Sequence, residues 1–162
     1  MASTESWYAA TEPGVIEVKE IPAAKLIVAG SASAADDSMF GRLFRYISTH
    51  DVKMTVPVEA PLGRNEMRFY VGSRDASRAL QSSGGVQVTE MPARLVVSAG
   101  ARGSYSWGNI HAAEQKLNDW LTNNPRYRPA GKAYAVFWNG PYVPGIVKRF
   151  EVHQPVKMQA MH

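Results

Sequence analysis

Met39, Arg42, Tyr46 and His50 recur three or four residues apart, beside a stripe formed by Phe40, Leu43, Phe44 and Ile47. If that apolar stripe turns inward, helical geometry puts the other four together on the adjoining outer flank. The flank gathers a thioether, a guanidinium, a phenol and an imidazole. Imidazole and thioether can ligate a metal, and a guanidinium can pair with a carboxylate. A plainer reading stands beside this one. Single apolar side chains are normal on surfaces, and a His in the last turn of a helix commonly serves the helix carbonyls and dipole. His111 falls on the other side of a second helix, His153 shares a strand face with Glu151, and His162 is terminal, so these three read as structural or solvated.

A carboxylate offers a different chemistry. Glu114 lies at the margin of the second helix's stripe, where Ala113 and Leu117 could raise its pKa and make it a general acid or base, with Tyr105 or Tyr134 nearby. The plainer alternative is a surface ion pair with Lys116 or Arg102. The chain carries no P-loop, dinucleotide fingerprint, His-Glu-x-x-His or Gly-x-Ser-x-Gly. With no cysteine, it has no disulfide, thiolate metal site or cysteine nucleophile.

The elements that must position these residues come from a duplication. Residues 16–30, IEVKEIPAAKLIVAG, match residues 86–100, VQVTEMPARLVVSAG, without a gap, with Val18/Val88, Glu20/Glu90, Pro22/Pro92, Ala23/Ala93, Ala29/Ala99 and Gly30/Gly100 identical. Each copy alternates apolar and polar residues, meets a proline that removes a ladder donor, then enters a second β-rich run, so a long strand kinked at Pro22 and Pro92 is predicted. Asp36-Asp37-Ser38 and Ser104-Tyr105-Ser106 supply N-caps for two helices. The second carries the stripe Ile110, Ala113, Leu117 and Leu121, and Asn123-Asn124-Pro125 ends it. Strands are predicted over 54–60 and 67–72 in the first copy and 133–138 and 147–152 in the second, with 125–131 as a longer loop. Two such βαββ units, about 14–73 and 84–153 of one domain spanning 1–162, should form an α+β fold. Their strands make a curved antiparallel sheet or distorted barrel flanked by two helices, with a ligand cleft between the halves.

Composition narrows the class. At 162 residues, 45% hydrophobic and 20% charged, the chain can bury a core without staples. A net charge of +4 spread along the chain is only a mild attraction for anions, and Arg126-Tyr127-Arg128 reads as a solvated turn, so no nucleic-acid partner is expected. Met1 to Trp7 lacks a basic, apolar leader pattern, and the expectation is a cytoplasmic protein without a membrane span. The oligomeric state stays open.

The order IEVKEIPAAKLIVAG, FGRLFRYIS, KMTVPV, VQVTEMPAR, FWNGPYVPGIVKRFEV resembles the SOUL haem-binding protein family, from about Gly14 to Val156. Its most specific parts are Lys53-Met54-Thr55-Val56-Pro57-Val58, Phe44-Arg45-Tyr46-Ile47, and Asn139-Gly140-Pro141 with Pro144 behind it. The resemblance implies pseudo-symmetric βαββ units and haem, or another tetrapyrrole, bound beside the first helix and the loop between the last two strands. Here that is Met39 to His50 and Asn139 to Ile146. Haem asks for apolar walls, cations for two propionates and sometimes an axial imidazole or thioether. The implied set is Met39, Arg42, Leu43, Arg45, Tyr46, His50, Lys53, Met54, Tyr142, Val143 and Ile146, with His50 the candidate iron ligand. Arg42, Arg45 and Lys53 would meet the propionates, Lys148 more distantly, and Tyr142 the ring, while Trp138 reads as core and Met54 and Pro57 shape an edge strand. Two positions depart from the family. Glu20 stands where one member's proposed histidine lies, and Phe150 where many members carry Asn. A carrier, buffer or sensor follows, more than an enzyme. The fold also resembles effector-binding domains of bacterial regulators and related hydrolases, so a small-molecule hydrolase or effector-binding domain using Glu114 is the alternative.

Overall fold

The computed structural model describes residues 5–30, 45–53, 55–62, 66–82, 85–139 and 148–160. The strands are β1 (Glu5–Ser6), β2 (Ile16–Ile21), β3 (Ala24–Gly30), β4 (Thr55–Val56), β5 (Val58–Pro61), β6 (Glu66–Tyr70), β7 (Val86–Met91), β8 (Arg94–Arg102), β9 (Tyr127–Pro129), β10 (Tyr134–Phe137) and β11 (Arg149–Met158). The helices are α1, described over 45–50, and α2 (Trp107–Thr122). No described helix is long and apolar enough to cross a membrane.

The prolines divide each duplicated run where the sequence predicts, between β2 and β3 and between β7 and β8. At each kink the chain changes partner. β2 pairs with β8 of the other copy and β7 with β3, both antiparallel, and Ile16↔Ala99 is reproduced by Val86↔Ala29. The halves are therefore interlocked by exchanged strands and also joined at the centre, where β10 pairs β5. The sheet runs β2-β8-β11-β10-β5-β6-β3-β7 with β9 on β11, and it stays open, a curved sheet rather than a closed barrel.

Three predicted boundaries change. The strand through Pro57 divides into β4, which pairs β1, and β5, which lies at the sheet's centre between β10 and β6. It is therefore not an edge strand, because the second copy supplies a partner for its free side. The final strand runs on to Met158, since β9, inside the stretch predicted as loop, pairs with its far end.

Strand alternation then sorts side chains onto two faces. Ile110, Ala113 and Leu117 of α2 pack on Val97, Ala99, Ala135, Phe150 and Val152. Ser106 caps this helix, its Oγ accepting from Asn109 N at 3.1 Å, and Asn123 closes it. On the same side, Tyr46 and Val52 pack on Ile27, Ala29, Phe69 and Val86. The intervening strand residues face away from both helices: Tyr70, Val96, Tyr134 and Val136, joined by Ile21, Leu26 and the arm residue Tyr8. Asp36-Asp37-Ser38, Phe40 and Phe44 lie outside the described residues, as do Met39, Arg42, Leu43, Met54, Tyr142, Val143 and Ile146 of the implied site.

Candidate functional site

Two places carry chemistry, one on each face of the sheet. The first is the C-terminal turn of α1. His50 is half-buried, its ring stacked on Tyr46 at 4.0 Å between centroids and 19° between planes. Its Nδ1 lies 3.0 Å from Tyr46 O. A carbonyl can only accept, so Nδ1 carries the proton and the Nε2 lone pair is left for another partner. The imidazole thus serves the helix carbonyl through Nδ1, and Nε2 has no partner among the described residues.

Tyr46 is not on the outer flank. It is 3% exposed, and its hydroxyl donates to Gln81 O at 2.7 Å. A tyrosine can bury its ring if its hydroxyl finds an acceptor, and the 80–82 segment provides one. Burial also pushes the phenol's pKa above its ordinary value. Ile47 of the predicted stripe is half-buried, Arg45 is exposed and Lys53 half-buried.

The stretch following β6 holds the end of this helix. Arg78 donates from Nη2 to His50 O at 2.5 Å and from Nη1 to Asp51 O at 2.8 Å. Arg74 also donates to Asp51 O. Asp51 has the left-handed φ of 48° common where helices end. Buried Asp75 ties these parts together, accepting from Arg78 Nη1 at 2.8 Å and Lys53 N at 2.9 Å. Burial works to raise the Asp75 carboxyl, but these donors hold it below its usual range. Sequence reasoning missed Arg74, Asp75 and Arg78, whose run SRDASR was the available signal.

The second place is the helix-free face, where two fully buried carboxylates flank β10: Val136 pairs with Glu59 on one side and Glu151 on the other. Glu59 accepts from Tyr8 and Tyr70 hydroxyls, each at 2.7 Å, from Arg68 Nε at 2.9 Å and from Arg94 Nη2 at 3.2 Å. Burial opposes its charge, but the Arg94 and Arg68 guanidiniums hold its pKa below the ordinary value. Glu151 accepts from Lys19 Nζ at 2.7 Å, Ser98 Oγ at 2.9 Å, Thr11 N at 2.8 Å and Trp138 Nε1. His153 Nε2 lies 2.6 Å from the same carboxylate.

The proton positions follow from counting donors. Tyr134 OH accepts from Arg94 Nε at 3.1 Å and Nη2 at 2.8 Å, so its own proton goes to His153 Nδ1, 3.0 Å away. His153 therefore carries its proton on Nε2 and donates to Glu151. Burial pushes His153 below its ordinary pKa, against the pull of Glu151. Burial also raises Glu151, but His153 and Lys19 bring it down to about 2. This network makes His153 a structural histidine, as its shared face with Glu151 suggests.

The remaining candidates lie apart. Glu114 sits 3.4 Å from His111 Nδ1 at the edge of α2. Tyr105, proposed as its neighbour, donates to Arg149 O at 2.9 Å. Lys148 Nζ lies 4.8 Å above the Tyr105 ring. Glu20 is exposed at the kink, Phe150 is core beneath α2, and half-buried Trp138 joins the core of the opposite face. Among the described residues, no three His, Asp or Glu side chains gather as a metal site.

Comparison with known proteins identifies the family and the fold. A family model described as SOUL heme-binding protein matches residues 5–155. No curated protein matches the sequence. Among solved structures, the EcmrR C-terminal domain superposes with a TM-score of 0.66 at 16% identity, over 90% of this chain and 98% of that one. A hydrolase from Listeria innocua gives 0.60 at 8% identity, over 91% and 94%. An uncharacterized conserved protein from Listeria innocua gives 0.58 at 9%, over 90% and 94%. At these identities the likeness is one of fold.

Proposed function

The chain belongs to the SOUL haem-binding protein family, and from that premise we propose that it binds haem or a related tetrapyrrole in a cleft beside α1, with His50 Nε2 as the iron's protein ligand. The observation that carries the reading is the 3.0 Å contact of His50 Nδ1 with Tyr46 O. Histidines that ligate metals usually donate their other ring N–H to a carbonyl or carboxylate, which fixes the tautomer and the ring plane. The stacked Tyr46 ring holds that plane, and the Arg74–Asp75–Arg78 group anchors the backbone that carries it.

The donor set suits haem, which needs a single imidazole. When bound, the haem iron would supply redox and small-ligand chemistry. The chain's own part is to orient the imidazole and neutralise the propionates. In this reading Arg42, Arg45 and Lys53 meet the propionates, while Met39, Leu43, Met54, Tyr142, Val143 and Ile146 wall the ring. The role is that of a carrier, buffer or sensor in the cytoplasm.

Titration of purified protein with haemin, and separately with metal-free protoporphyrin, tests this. Saturable Soret changes in both are expected, with haemin the tighter ligand because its iron gains a partner. A flat Soret response would rule out the reading, and equal affinities would remove the protein ligand from it.

A further inference from the structure

The Arg126-Tyr127-Arg128 run leads into β9 and is held as a ribbon rather than as a turn. Arg128 pairs with Lys157 and Tyr127 with Met158, and Gln159 N continues the ladder by donating to Arg126 O at 2.6 Å. β11 leaves β8 at Pro155↔Val96, and past that point β9 is its partner among the described strands. We infer that the end of this two-stranded ribbon is a docking surface for an anionic lipid bilayer.

Side chains alternate between the ribbon's two faces. Tyr127 and Val156 turn toward α2, the Tyr127 ring 5.6 Å from that of Trp120. Arg126, Arg128 and Lys157 take the other face. Lys132 follows beside them, where Gln154 Nε2 donates to Gly131 O at 2.7 Å. All four cations are exposed, and among the described residues none has a carboxylate within ion-pair reach. Arg128 and Lys157 stand directly opposite each other, an unfavourable placement for like charges that an outside anion relieves. From Asn123 to His162 the sequence has six Lys and Arg and one acid, Glu151. That acid is buried and bonded to Lys19, so the stretch holds no carboxylate of its own to offset the ribbon.

The neighbouring side chains select among polyanions. Met158 is 52% exposed, one of three large apolar side chains so placed among the described residues, and it ends the ribbon next to Lys157. Cations beside an exposed apolar side chain suit a lipid surface: each Lys or Arg adds attraction to anionic headgroups, and the apolar side chain gains from entering beneath them. A single-stranded nucleic acid asks for rings on which bases stack. The ribbon's own ring, Tyr127, lies on the opposite face and is engaged with Trp120.

Co-sedimentation of the full chain with vesicles of phosphatidylcholine, alone or with one-third phosphatidylserine, tests the inference. At low ionic strength the phosphatidylserine vesicles should bind about tenfold more tightly or better. Salt at ~1 M, which shortens the screening length to ~3 Å, should remove the difference. Arg128→Glu combined with Lys157→Glu should weaken this binding about tenfold or more. Arg102→Glu combined with Lys116→Glu makes the same charge change on exposed residues beside α2 and should alter it less than about twofold. Met158→Ser should weaken vesicle binding about threefold and leave binding of a single-stranded oligonucleotide or polyglutamate unchanged. Equal binding to both vesicles, equal losses in the two charge-reversed pairs, or unchanged vesicle binding in Met158→Ser would each overturn the inference. So would tighter binding of the oligonucleotide or polyglutamate than of the phosphatidylserine vesicles. None of these outcomes bears on the haemin titration, so the two readings fail separately.

Discussion

The same strands build two unlike faces. Along β6, Phe69 goes under α1 while Arg68 and Tyr70 go to Glu59; along β11, Phe150 and Val152 go under α2 while Glu151 and His153 go to the opposite side. The helical face is held by burial, which has no direction and tolerates a change of shape if volume is kept. The other face adds to its apolar packing a network of donors gathered on two buried carboxylates, where removing one partner strands others. The two sides of one sheet are thus divided in how they are held.

That division can be broken most sharply at Glu59. Glu59→Ala leaves Arg68 and Arg94 as buried, uncompensated charges and should cost about 4 kcal/mol in urea unfolding. A loss below about 1 kcal/mol would mean that the carboxylate does not organise this face. Leu117→Ala, in the core under α2, should cost about 3 kcal/mol, whereas Leu117→Met should stay near 1. If Glu59→Gln proved as mild as Leu117→Met, the contrast between the faces would collapse.

Acid should act chiefly on the charged face, by roughly 2 kcal/mol, with a smaller part from Asp75 at the end of α1, whose donors also hold its carboxyl below the usual range. The unfolded chain takes a proton on His153 near pH ~6.5, while the buried folded imidazole resists it. Its contribution is present above that pH and declines below it. Glu151 follows: unfolded, it protonates near pH ~4.3, but folded only at about 2, so its contribution is lost between those values. Urea midpoints measured from pH 7 to 3 should fall in these two steps, and His153→Gln should flatten the first. A flat profile in the unmodified protein would contradict the assignment.

Gly100 comes next. A Cβ there would lie 2.3 Å from Glu12 O and 2.6 Å from Thr11 O, and the strand exchanges bonds with Gly14 and Val15 of the arm. Gly100→Ala should cost about 1–2 kcal/mol and open the arm to proteolysis near Thr11. Unchanged protection of that segment would show the arm to be held elsewhere. Smallest of all, Glu114→Gln at the edge of α2 should stay within about 0.5 kcal/mol.

Much of the helical face was legible in the sequence because its signals are local. The match of residues 16–30 to 86–100 is ungapped, and the proline kinks, the Ser106 cap and the Ile110–Ala113–Leu117 stripe are each short-range patterns. The charged face is assembled across the whole chain: Thr11 reaches Glu151 over 140 positions, and Tyr8 reaches Glu59 over 51. The arm that precedes β2 creates those neighbours by crossing the sheet, and no single-strand pattern specifies it. A hint existed in RFEVH, where ionisable residues alternate with apolar ones inside a strand. Tyr46 was assigned to the wrong side because helical spacing from Phe40 to His50 does not tell which tyrosine will find a carbonyl for its hydroxyl.

The central claim is that α1 offers an imidazole fixed through Nδ1 and available at Nε2. The most direct measurement is the Soret spectrum of the haemin complex with and without His50→Ala. Loss of the wild-type band position in His50→Ala, with bound haem still present, is the predicted result. An identical band in both proteins would contradict it.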